Sequence, residues 1–446
     1  MLEQVENLLK ENNRFLISSC SYSSSDLTNC SYVSDGLNLY FANVENSSVV
    51  QQISFNPKVV VSVSSGTEEL TYYGYAEIVK EYPEKEKLLK KLSKSDKLKP
   101  EGIFRIILVR IKPLEIVVPQ LKIREKFPEN KPSVIKEIIY SFLRTLKIWT
   151  KAVRLPFVSV SVGAVLVGAA VAFFEFGVFN WINFFLTFLG IAIFHISADL
   201  FNDFFDHVSG SDEINVKLTP FSGGSRFIQN RIFTPTRVLL GAIISLLACT
   251  SIGFYLNFNL QGNIIVYIGL GGVFLGVFYV GVPFKILHYG LGELAIFLSF
   301  GPAIVFGSYY VQAEQFSWIP IASSALIGLL ISLILFINQF PDYEADKASG
   351  KKHWVVRFGR EKSIYIYIFF MSLVYILLIL FVTLRILPPL SLIALISLFF
   401  STKAMITTKK HYDNYLAMIP AQAMTILTCL TFSILLAISL FISYLF

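Results

Sequence analysis

The sequence predicts an all-α polytopic membrane bundle of nine transmembrane helices, preceded by a small β-rich domain. Three observations support this fold class. Residues 157–446 consist mostly of long apolar runs, whereas residues 1–150 are charged and mixed in character. Two stretches rich in acidic side chains each close one of the apolar runs. A chain of 446 residues also has room for two or three domains, here predicted as 1–118, 119–156 and 157–446.

The N-terminal domain, residues 1–118, reads as a series of short strands. Strands are predicted over 14–19, 31–34, 37–43, 58–65, 70–79 and 104–118, with helices over 2–10, 45–54 and 83–94. Asp35-Gly36 is typical of a hairpin turn, and Asn56-Pro57 ends the second helix. The opening residues are charged and polar, so no secretory signal is expected here.

A linker rich in Lys and Pro follows over residues 119–156. Within it, an apolar stripe from Val134 to Trp149 runs beside Lys136, Arg144 and Lys147, which predicts an amphipathic basic helix. Such a helix favours an anionic membrane surface. The alternative is that it packs against the β-rich domain.

Nine apolar runs follow the linker, most of them near the ~20 residues that cross a bilayer. They are 157–176, 181–200, 237–257, 263–281, 290–311, 318–339, 364–385, 389–404 and 419–446. Cationic residues concentrate in the loops after the even-numbered runs, whereas the opposite loops hold only Arg385. By the positive-inside rule, this pattern predicts a multi-pass protein of the cell membrane with its N-terminal domain and both acidic stretches in the cytoplasm. We therefore interpret the net charge of +7 as a topology signal and expect no nucleic-acid partner.

The two acidic stretches place their oxygen-bearing side chains at helical spacing. The first comprises Asp199, Asn202, Asp203 and Asp206, and the second comprises Asn338, Asp342 and Asp346. On a helix each set shares one face, where the carboxylates repel one another unless a cation neutralises them. Hard oxygen ligands suit Mg²⁺, which takes the rest of its shell from water and substrate phosphates. The alternative is a pair of solvated helix ends at the membrane surface.

Two such faces at one membrane surface indicate a substrate with adjacent phosphates. Flexible Gly223-Gly224 and the cationic loop that includes Lys351-Lys352 follow the two stretches, and both features suit an anion. A diphosphate held in this way is a good leaving group. With an apolar interior beside it, the pattern predicts loss of diphosphate from an isoprenoid and capture of the allylic cation by a nucleophile.

Residues 150–446 resemble the UbiA-type intramembrane prenyltransferases. The matching motifs are Asn202-Asp203-x-x-Asp206 and Asp342-x-x-x-Asp346, each after the expected helix. Where many members continue the first motif with another Asp, this chain has Gly210 and places Asp212 two residues later. That form, with Gly290-Leu291-Gly292-Glu293, resembles the 1,4-dihydroxy-2-naphthoate branch. The resemblance implies Mg²⁺ as cofactor, with a polyprenyl diphosphate, an aromatic quinone precursor and membrane lipid as partners.

The resemblance also assigns site residues. It implies Asn202, Asp206, Asp212, Asp342 and Asp346 as metal ligands, Asp203, Asp206, Asp342 and Asp346 as catalytic residues, and Arg226, Lys352, Arg357, Tyr279, Lys285 and Glu293 as substrate-binding residues. The cationic candidates have an alternative role as topology-setting charges. Glu293 has an alternative role in offsetting a helix dipole. His195, inside an apolar run, is expected to be a packed residue rather than a base.

The N-terminal domain resembles the flavin-binding split barrel of the pyridoxamine 5′-phosphate oxidase-like proteins. The matching features are Leu39-Tyr40-Phe41-Ala42, Asn56-Pro57-Lys58-Val59 and Tyr73-Gly74-Tyr75-Ala76. Flavin-binding members usually carry a basic residue in the helix before the Asn-Pro step, but here residues 47–52 contain no Lys or Arg. A structural or regulatory barrel is therefore favoured over one that binds FMN.

Three other functions fit parts of the sequence. The first is alkylation of a glycerol phosphate hydroxyl in ether-lipid synthesis, which uses the same diphosphate chemistry. The second is a transporter or channel whose carboxylates bind cations. The third is an FMN reductase in which the helices serve only as an anchor.

Overall fold

A computed structural model of the chain describes residues 2–21, 25–45, 47–65, 68–79, 88, 92 and 105–446. These residues form two compact units. One unit comprises residues 1–151 with 227–234, and the other comprises residues 152–226 with 235–446. The division lies near the predicted end of the linker.

The first unit is built on an antiparallel sheet that closes on itself. Its strands are β1 (Arg14–Cys20), β2 (Ser25–Asp35), β3 (Asn38–Val44), β4 (Lys58–Ser65), β5 (Glu68–Ile78), β6 (Ile106–Val118) and β7 (Ile123–Lys126). The order is β3-β2-β1-β4-β5-β6-β7, and β3 also pairs with β6. This extra pairing closes six strands into a barrel, which protects the backbone groups of the edge strands.

Alternation along these strands fills the barrel with apolar side chains, including Ile17, Phe41 and Ile111, all fully buried. Buried Tyr72 donates its hydroxyl to the carbonyl of Leu37 or Ile111, at 2.9 and 3.0 Å. Helices α1 (Leu2–Glu11) and α2 (Ser48–Phe55) pack on the barrel. The predicted helix over 83–94 lies outside the described residues except for positions 88 and 92.

The segment predicted as a linker contributes more structure than expected. It supplies β7 and short 3₁₀ turns at Pro119–Leu121 and Pro128–Asn130, and then helix α3 (Val134–Ala152). The polar side of α3 contacts the barrel, because Glu137 pairs with Lys58 at 2.7 Å and Arg144 donates to the Tyr75 hydroxyl at 3.3 Å. Its apolar stripe remains exposed, as in Phe142, which is 67% accessible. The helix therefore combines features of both predicted arrangements.

The second unit is a bundle of apolar helices. They are α4 (Leu155–Phe176), α5 (Trp181–Val208), α6 (Pro235–Phe258), α7 (Ile264–Phe278), α8 (Gly292–Ala313), α9 (Ile319–Ala348), α10 (Trp354–Thr383), α11 (Pro389–His411) and α12 (Ile419–Ser443). Helix α8 contains a π-helical turn over Ser299–Phe306, α11 begins as a 3₁₀ helix over Pro389–Ser397, and the backbone of α10 leaves helical geometry at Gly359. Short helical turns also occupy Ser211–Ile214 and Ile286–Tyr289.

Eight of these helices, as the structure describes them, are long and apolar enough to cross a membrane. The exception is α7, whose 15 residues span only about 23 Å against a hydrocarbon core of about 30 Å. The structure thus supports a multi-pass membrane bundle with eight candidate spans, and the predicted count of nine is not confirmed. The shortest predicted run, 389–404, belongs to a 23-residue helix and satisfies the length requirement.

Candidate active site

The cytoplasm-directed ends predicted for α5 and α9 meet at one buried lysine. The ammonium of Lys351 lies 3.0 Å from Asp206 Oδ1 on α5 and 3.1 Å from Asp346 Oδ1 on α9. These two aspartates are 140 positions apart in the chain, one from each acidic stretch. The structure therefore brings the two stretches together around a shared cation.

A polar cavity of about 120 Å³ opens between these helix ends. Its wall includes acidic and amide groups from both stretches, the glycine-rich loop and several apolar side chains. The lining residues are Arg154, Asn202, Asp206, Ser211, Asp212, Asn215, Phe221, Ser222, Gly223, Gly224, Tyr279, Leu287, Leu335, Asn338, Gln339, Asp342, Asp346, Lys351 and His353. All five predicted metal ligands line this one cavity.

Lys351, rather than the predicted Lys352, is the lysine of the cavity. Gly350 adopts a φ of +80°, a left-handed conformation that reverses the chain after α9. The Lys351 N–H then donates to the Asp346 carbonyl at 3.0 Å, and the Lys351 side chain turns inward until it is 7% exposed. Burial alone lowers the pKa of Lys351, but the carboxylates of Asp206 and Asp346 outweigh burial and raise it, so the amine stays charged. Lys352 points outward and is exposed.

The remaining carboxylates of the two stretches have different partners. Asp203 is buried and forms an ion pair with Arg154, so it is already neutralised by a residue of its own unit. Asp342 accepts a hydrogen bond from the Asn215 amide at 2.8 Å. The two catalytic candidates therefore differ: Asp342 lines the cavity, whereas Asp203 is bound to a cation at its edge.

Asp212 reaches the cavity from the loop after α5. A β-carbon at Gly224, where φ is +75°, would lie 2.9 Å from Asp212 Oδ1, so the glycine permits the loop to approach this carboxylate. Burial, and then the negative charges of Asp206 and Asp203, raise the pKa of Asp212 to about 8. The neighbouring carboxylates therefore disfavour ionisation of Asp212, and a bound cation would offset this repulsion.

His353 holds Asp346 in place from the other side. The imidazole is fully buried, and its Nδ1 accepts the Val356 N–H at 3.3 Å as the cap of α10. Because Nδ1 accepts, Nε2 carries the proton and donates to Asp346 Oδ2 at 3.0 Å. One residue therefore starts a helix and orients a carboxylate of the cavity.

The predicted substrate-binding residues divide into two groups. Tyr279 lines the cavity, and buried Glu293 contacts a lining residue, because its Oε1 accepts from Gln339 Nε2 at 3.1 Å. Arg226 donates to the carbonyl of Asp212 and so braces the loop beside the cavity. Outside the cavity wall, Lys285 is half-buried and Arg357 is exposed, with its guanidinium on the carbonyls of Lys352 and Tyr289.

His195 and Asp199 lie deeper along α5 and outside the cavity lining. The His195 Nδ1 is 2.5 Å from the Ser161 hydroxyl, and its Nε2 is 3.7 Å from Asp199 Oδ2. The edge of the Phe300 ring also packs on the imidazole. This environment agrees with the prediction of a packed, hydrogen-bonded histidine.

The cavity suits a hard cation in its chemistry. Among the residues that the structure describes, no three His, Cys, Asp or Glu side chains converge closely enough to hold a metal ion, and the Lys351 ammonium lies between two of the carboxylates. The predicted ligands nevertheless offer oxygen atoms, and the buried Oδ1 of Asn202 has no hydrogen-bond partner among the residues described. An all-oxygen donor set fits Mg²⁺.

Four residues of this site are not predicted as site residues: Arg154, Asn215 and His353, together with Lys351, which the sequence places only in a cationic loop suited to an anion. Lys351 had a local signal, since it directly follows the glycine that ends α9. Arg154 was grouped with the linker, and Asn215 carried no motif. Their partners, Asp203 and Asp342, are far away in sequence, so spacing alone gave no indication of these pairs.

The helical part of the chain is similar to known proteins. Residues 161–418 match the UbiA prenyltransferase family. The chain is 33% identical over 220 residues to the 2-carboxy-1,4-naphthoquinone phytyltransferase of Synechocystis sp., covering 48% of this chain and 67% of that protein. It is 28% identical over 279 residues to the chloroplastic 2-carboxy-1,4-naphthoquinone phytyltransferase of Arabidopsis thaliana, covering 61% and 70%. It is also 28% identical over 220 residues to the 1,4-dihydroxy-2-naphthoate octaprenyltransferase of Escherichia coli, covering 47% and 68%.

Solved structures match each part of the chain at low overall similarity. A digeranylgeranylglyceryl phosphate synthase aligns over 67% of this chain and 98% of its own, with a TM-score of 0.46 and 18% identity. A pyridoxamine 5′-phosphate oxidase-like protein from Listeria innocua aligns over 26% of this chain and 97% of its own, with a TM-score of 0.24 and 19% identity.

Proposed function

The chain belongs to the UbiA prenyltransferase family, and from this premise we propose that it transfers a polyprenyl group from a polyprenyl diphosphate to an aromatic acceptor resembling 1,4-dihydroxy-2-naphthoate. The observation that carries the proposal is the cavity in which Asp206, Asp346 and Lys351 meet. The similarity to naphthoquinone phytyltransferases and naphthoate octaprenyltransferases supports the choice of acceptor.

The residues of the cavity have two roles toward the diphosphate, metal binding and direct charge compensation. Asn202, Asp206, Asp212, Asp342 and Asp346 would hold Mg²⁺, which when bound neutralises the diphosphate and favours its departure. Lys351 supplies a fixed positive charge for the same anion. The bond between the allylic carbon and the diphosphate oxygen breaks with its electron pair on the oxygen, and a ring carbon of the acceptor then bonds to the allylic cation. The ring becomes aromatic again when it loses a proton, or its carboxylate as carbon dioxide.

A second, apolar cavity of about 180 Å³ supports the isoprenoid part of the proposal. It lies among α5, α6, α7 and α8 and includes Phe194, Ile252 and Ile265 in its wall. Its lining is suited to a hydrocarbon chain. Exclusion of water from such surroundings protects an allylic cation from hydrolysis.

We also propose on which side of the membrane the active site and the barrel lie. The cationic loops predict that the active site and the barrel face the cytoplasm in the cell membrane. The exposed apolar stripe of α3, with Ile135 72% accessible, suits the membrane surface. We assign the barrel a structural or regulatory role, since helix α2 has no Lys or Arg to meet a flavin phosphate.

The test is diphosphate release and product identification with the purified full chain in lipid nanodiscs. Polyprenyl diphosphates of several lengths are offered with 1,4-dihydroxy-2-naphthoate or with a prenylated glycerol phosphate, with and without Mg²⁺. We expect Mg²⁺-dependent release coupled to a prenylated naphthoquinol. Transfer to glycerol phosphate alone would move the protein to ether-lipid synthesis, and ion flux in liposomes without diphosphate release would support a transporter. A purified protein with flavin absorbance would instead point to the barrel.

A further inference from the structure

One wall of the polar cavity carries buried polar atoms without partners. Tyr279 and Gln339 line the cavity beside Leu287 and Leu335, and buried Glu293 is hydrogen-bonded to Gln339. Within the described part of the chain, the Tyr279 hydroxyl, Gln339 Oε1 and Glu293 Oε2 are buried and make no hydrogen bond. A buried polar atom without a partner is costly, so three in one wall point to a ligand that completes them.

The orientation of these atoms is set by the bonds that their side chains do make. Glu293 Oε1 accepts from both Gln339 Nε2 at 3.1 Å and the Trp354 N–H at 3.0 Å. Because the Gln339 amide nitrogen is used in this way, its oxygen is the atom left without a partner. Trp354 also holds the segment just before Glu293, because its indole N–H donates to the Gly290 carbonyl at 3.0 Å.

Tyr279 packs against the first turn of helix α8, which contains Glu293. A β-carbon at Gly292 would lie 3.3 Å from the Tyr279 hydroxyl, so the hydroxyl packs on the residue that precedes Glu293. Burial, and then the Glu293 carboxylate, raise the pKa of Tyr279 well above its ordinary value, which keeps the phenol protonated. Tyr279 therefore presents a hydroxyl, able to donate or accept, and Gln339 presents an oxygen that can only accept. Glu293, which is bonded to the lining residue Gln339, adds a second acceptor oxygen next to them.

This arrangement defines the complementary ligand. Glu293 Oε2 and Gln339 Oε1 require donors, so the ligand must bring hydroxyl hydrogens. Leu287 and Leu335, both lining residues, suit a flat apolar body beside those hydroxyls. Because like charges repel, an anionic group of the ligand, such as the carboxylate of a naphthoate, is expected to lie away from Glu293.

We propose that Tyr279, Glu293 and Gln339 form the recognition site for the hydroxyl groups of an aromatic diol, and that they set the acceptor specificity of the enzyme. This inference rests on the proposed function and assigns its acceptor to one wall of the cavity. It favours a dihydroxylated ring over a prenylated glycerol phosphate, because the ring brings two hydroxyl hydrogens and the glycerol phosphate brings one. Glu293 and Gln339 act as hydrogen-bond acceptors for the ring hydroxyls, and Tyr279 donates to a ring oxygen.

The experiment compares Tyr279→Phe, Glu293→Gln and Gln339→Leu with the wild type in nanodiscs. Initial rates are measured against 1,4-dihydroxy-2-naphthoate at saturating polyprenyl diphosphate, and then with the two substrates exchanged. The 1,4-dimethoxy analogue, which lacks the hydroxyl hydrogens, serves as a second acceptor probe. Tyr367→Phe is the matched control, since it removes another buried tyrosine hydroxyl, one bonded to Thr425 in the bundle core.

We expect each wall variant to raise the acceptor KM by about tenfold or more, the scale of one buried hydrogen bond, with the diphosphate KM changed by less than about twofold. The dimethoxy analogue should bind poorly to the wild type and lose little further in the variants. Tyr367→Phe should leave both KM values unchanged.

Two outcomes would overturn the inference, and a third would refute the proposed function on which it rests. An unchanged acceptor KM in Tyr279→Phe, which keeps the ring and its packing, would remove the site even if the other variants fail to fold. An equal rise in both KM values would show a general distortion of the cavity. If the wild type prenylates no aromatic acceptor, the proposed function fails first and this inference fails with it.

Discussion

The barrel and the helical bundle use charged residues in opposite ways. In the barrel, Glu77 on β5 is 36% exposed and pairs with Arg110 at 2.9 Å and Lys112 at 3.0 Å on β6, at the surface of a sheet whose interior is apolar. In the bundle, Asp206, Asp346 and Lys351 are buried together. Surface pairs contribute little to stability, whereas buried charges carry a desolvation cost. Charges retained in an apolar bundle at that cost indicate function, whereas the barrel pair needs only a structural explanation.

The largest expected effect tests the buried charges directly. Asp206→Asn and Asp342→Asn should each lower kcat/KM by at least about 100-fold, because they remove oxygen charge that the diphosphate complex requires. The measurement is Mg²⁺-dependent diphosphate release. Glu175→Gln is the matched acidic control, because Glu175 lies near the end of α4 and outside the cavity lining. Its carboxylate accepts a hydrogen bond from Ser317. Full activity in Asp342→Asn would break the assignment of the second stretch.

Substitution of Lys351 tests how much its positive charge stabilises the folded protein. Lys351→Gln leaves the carboxylates of Asp206 and Asp346 facing each other, and we expect a loss of about 3–5 kcal/mol in the free energy of unfolding, the scale of a broken buried pair. Added Mg²⁺ should restore part of it, because the ion can replace the missing positive charge.

The readout for Lys351 is thermal unfolding in detergent, with and without Mg²⁺. Lys352→Gln provides the control, because Lys352 is the adjacent residue with the same charge but an exposed side chain. Equal behaviour of the two variants would contradict the distinction between the buried and the exposed lysine.

His353 should give an intermediate effect. Asn in its place can still cap α10 but is too short to keep the bond to Asp346, so His353→Asn should lower kcat/KM by about tenfold with a small change in stability. His353→Ala removes both interactions and should also lower the midpoint of thermal unfolding. A variant pair with identical activity and stability would show that the imidazole serves packing alone.

The smallest effect is expected in the barrel. Burial raises the pKa of Glu77, but hydrogen bonds from Lys112 and Arg110 outweigh it and lower the pKa. Because the pKa is depressed, the stabilisation is present above the ordinary pKa of a carboxyl and is lost as the pH falls through the folded-state value. Glu77→Gln should cost less than about 1 kcal/mol at neutral pH, with unchanged turnover. Denaturation followed by near-UV circular dichroism, at neutral and acidic pH, measures the change; a large loss of turnover would link the barrel to catalysis.

Local patterns were enough to predict most of the elements. The strands β1 and β3 to β6 and the long helices follow from alternation and from apolar run length, both of which are read within one segment. For β2 (Ser25–Asp35) the sequence predicts a strand only over 31–34. Helical spacing predicts that each acidic set shares one face, and Asn202 and Asp206 do line the cavity together, whereas Asp199 and Asp203 of the same set are not among its lining residues. The fourth run was overestimated, because apolar composition continues into residues that leave the helix after Phe278.

By itself, then, the sequence determined most of the strands, the helices and the helical spacing of the oxygen-bearing side chains, since these depend on neighbours within a few residues, whereas the barrel was implied by the family resemblance. The tertiary structure decided that Lys351 rather than Lys352 enters the cavity, that Arg154 neutralises Asp203, and that the Gln339 amide nitrogen bonds to Glu293. Those outcomes depend on where turns direct side chains from segments far apart in the chain. Periodicity carries no information on such encounters, because it describes a residue's face and not the partner that the folded chain brings to it.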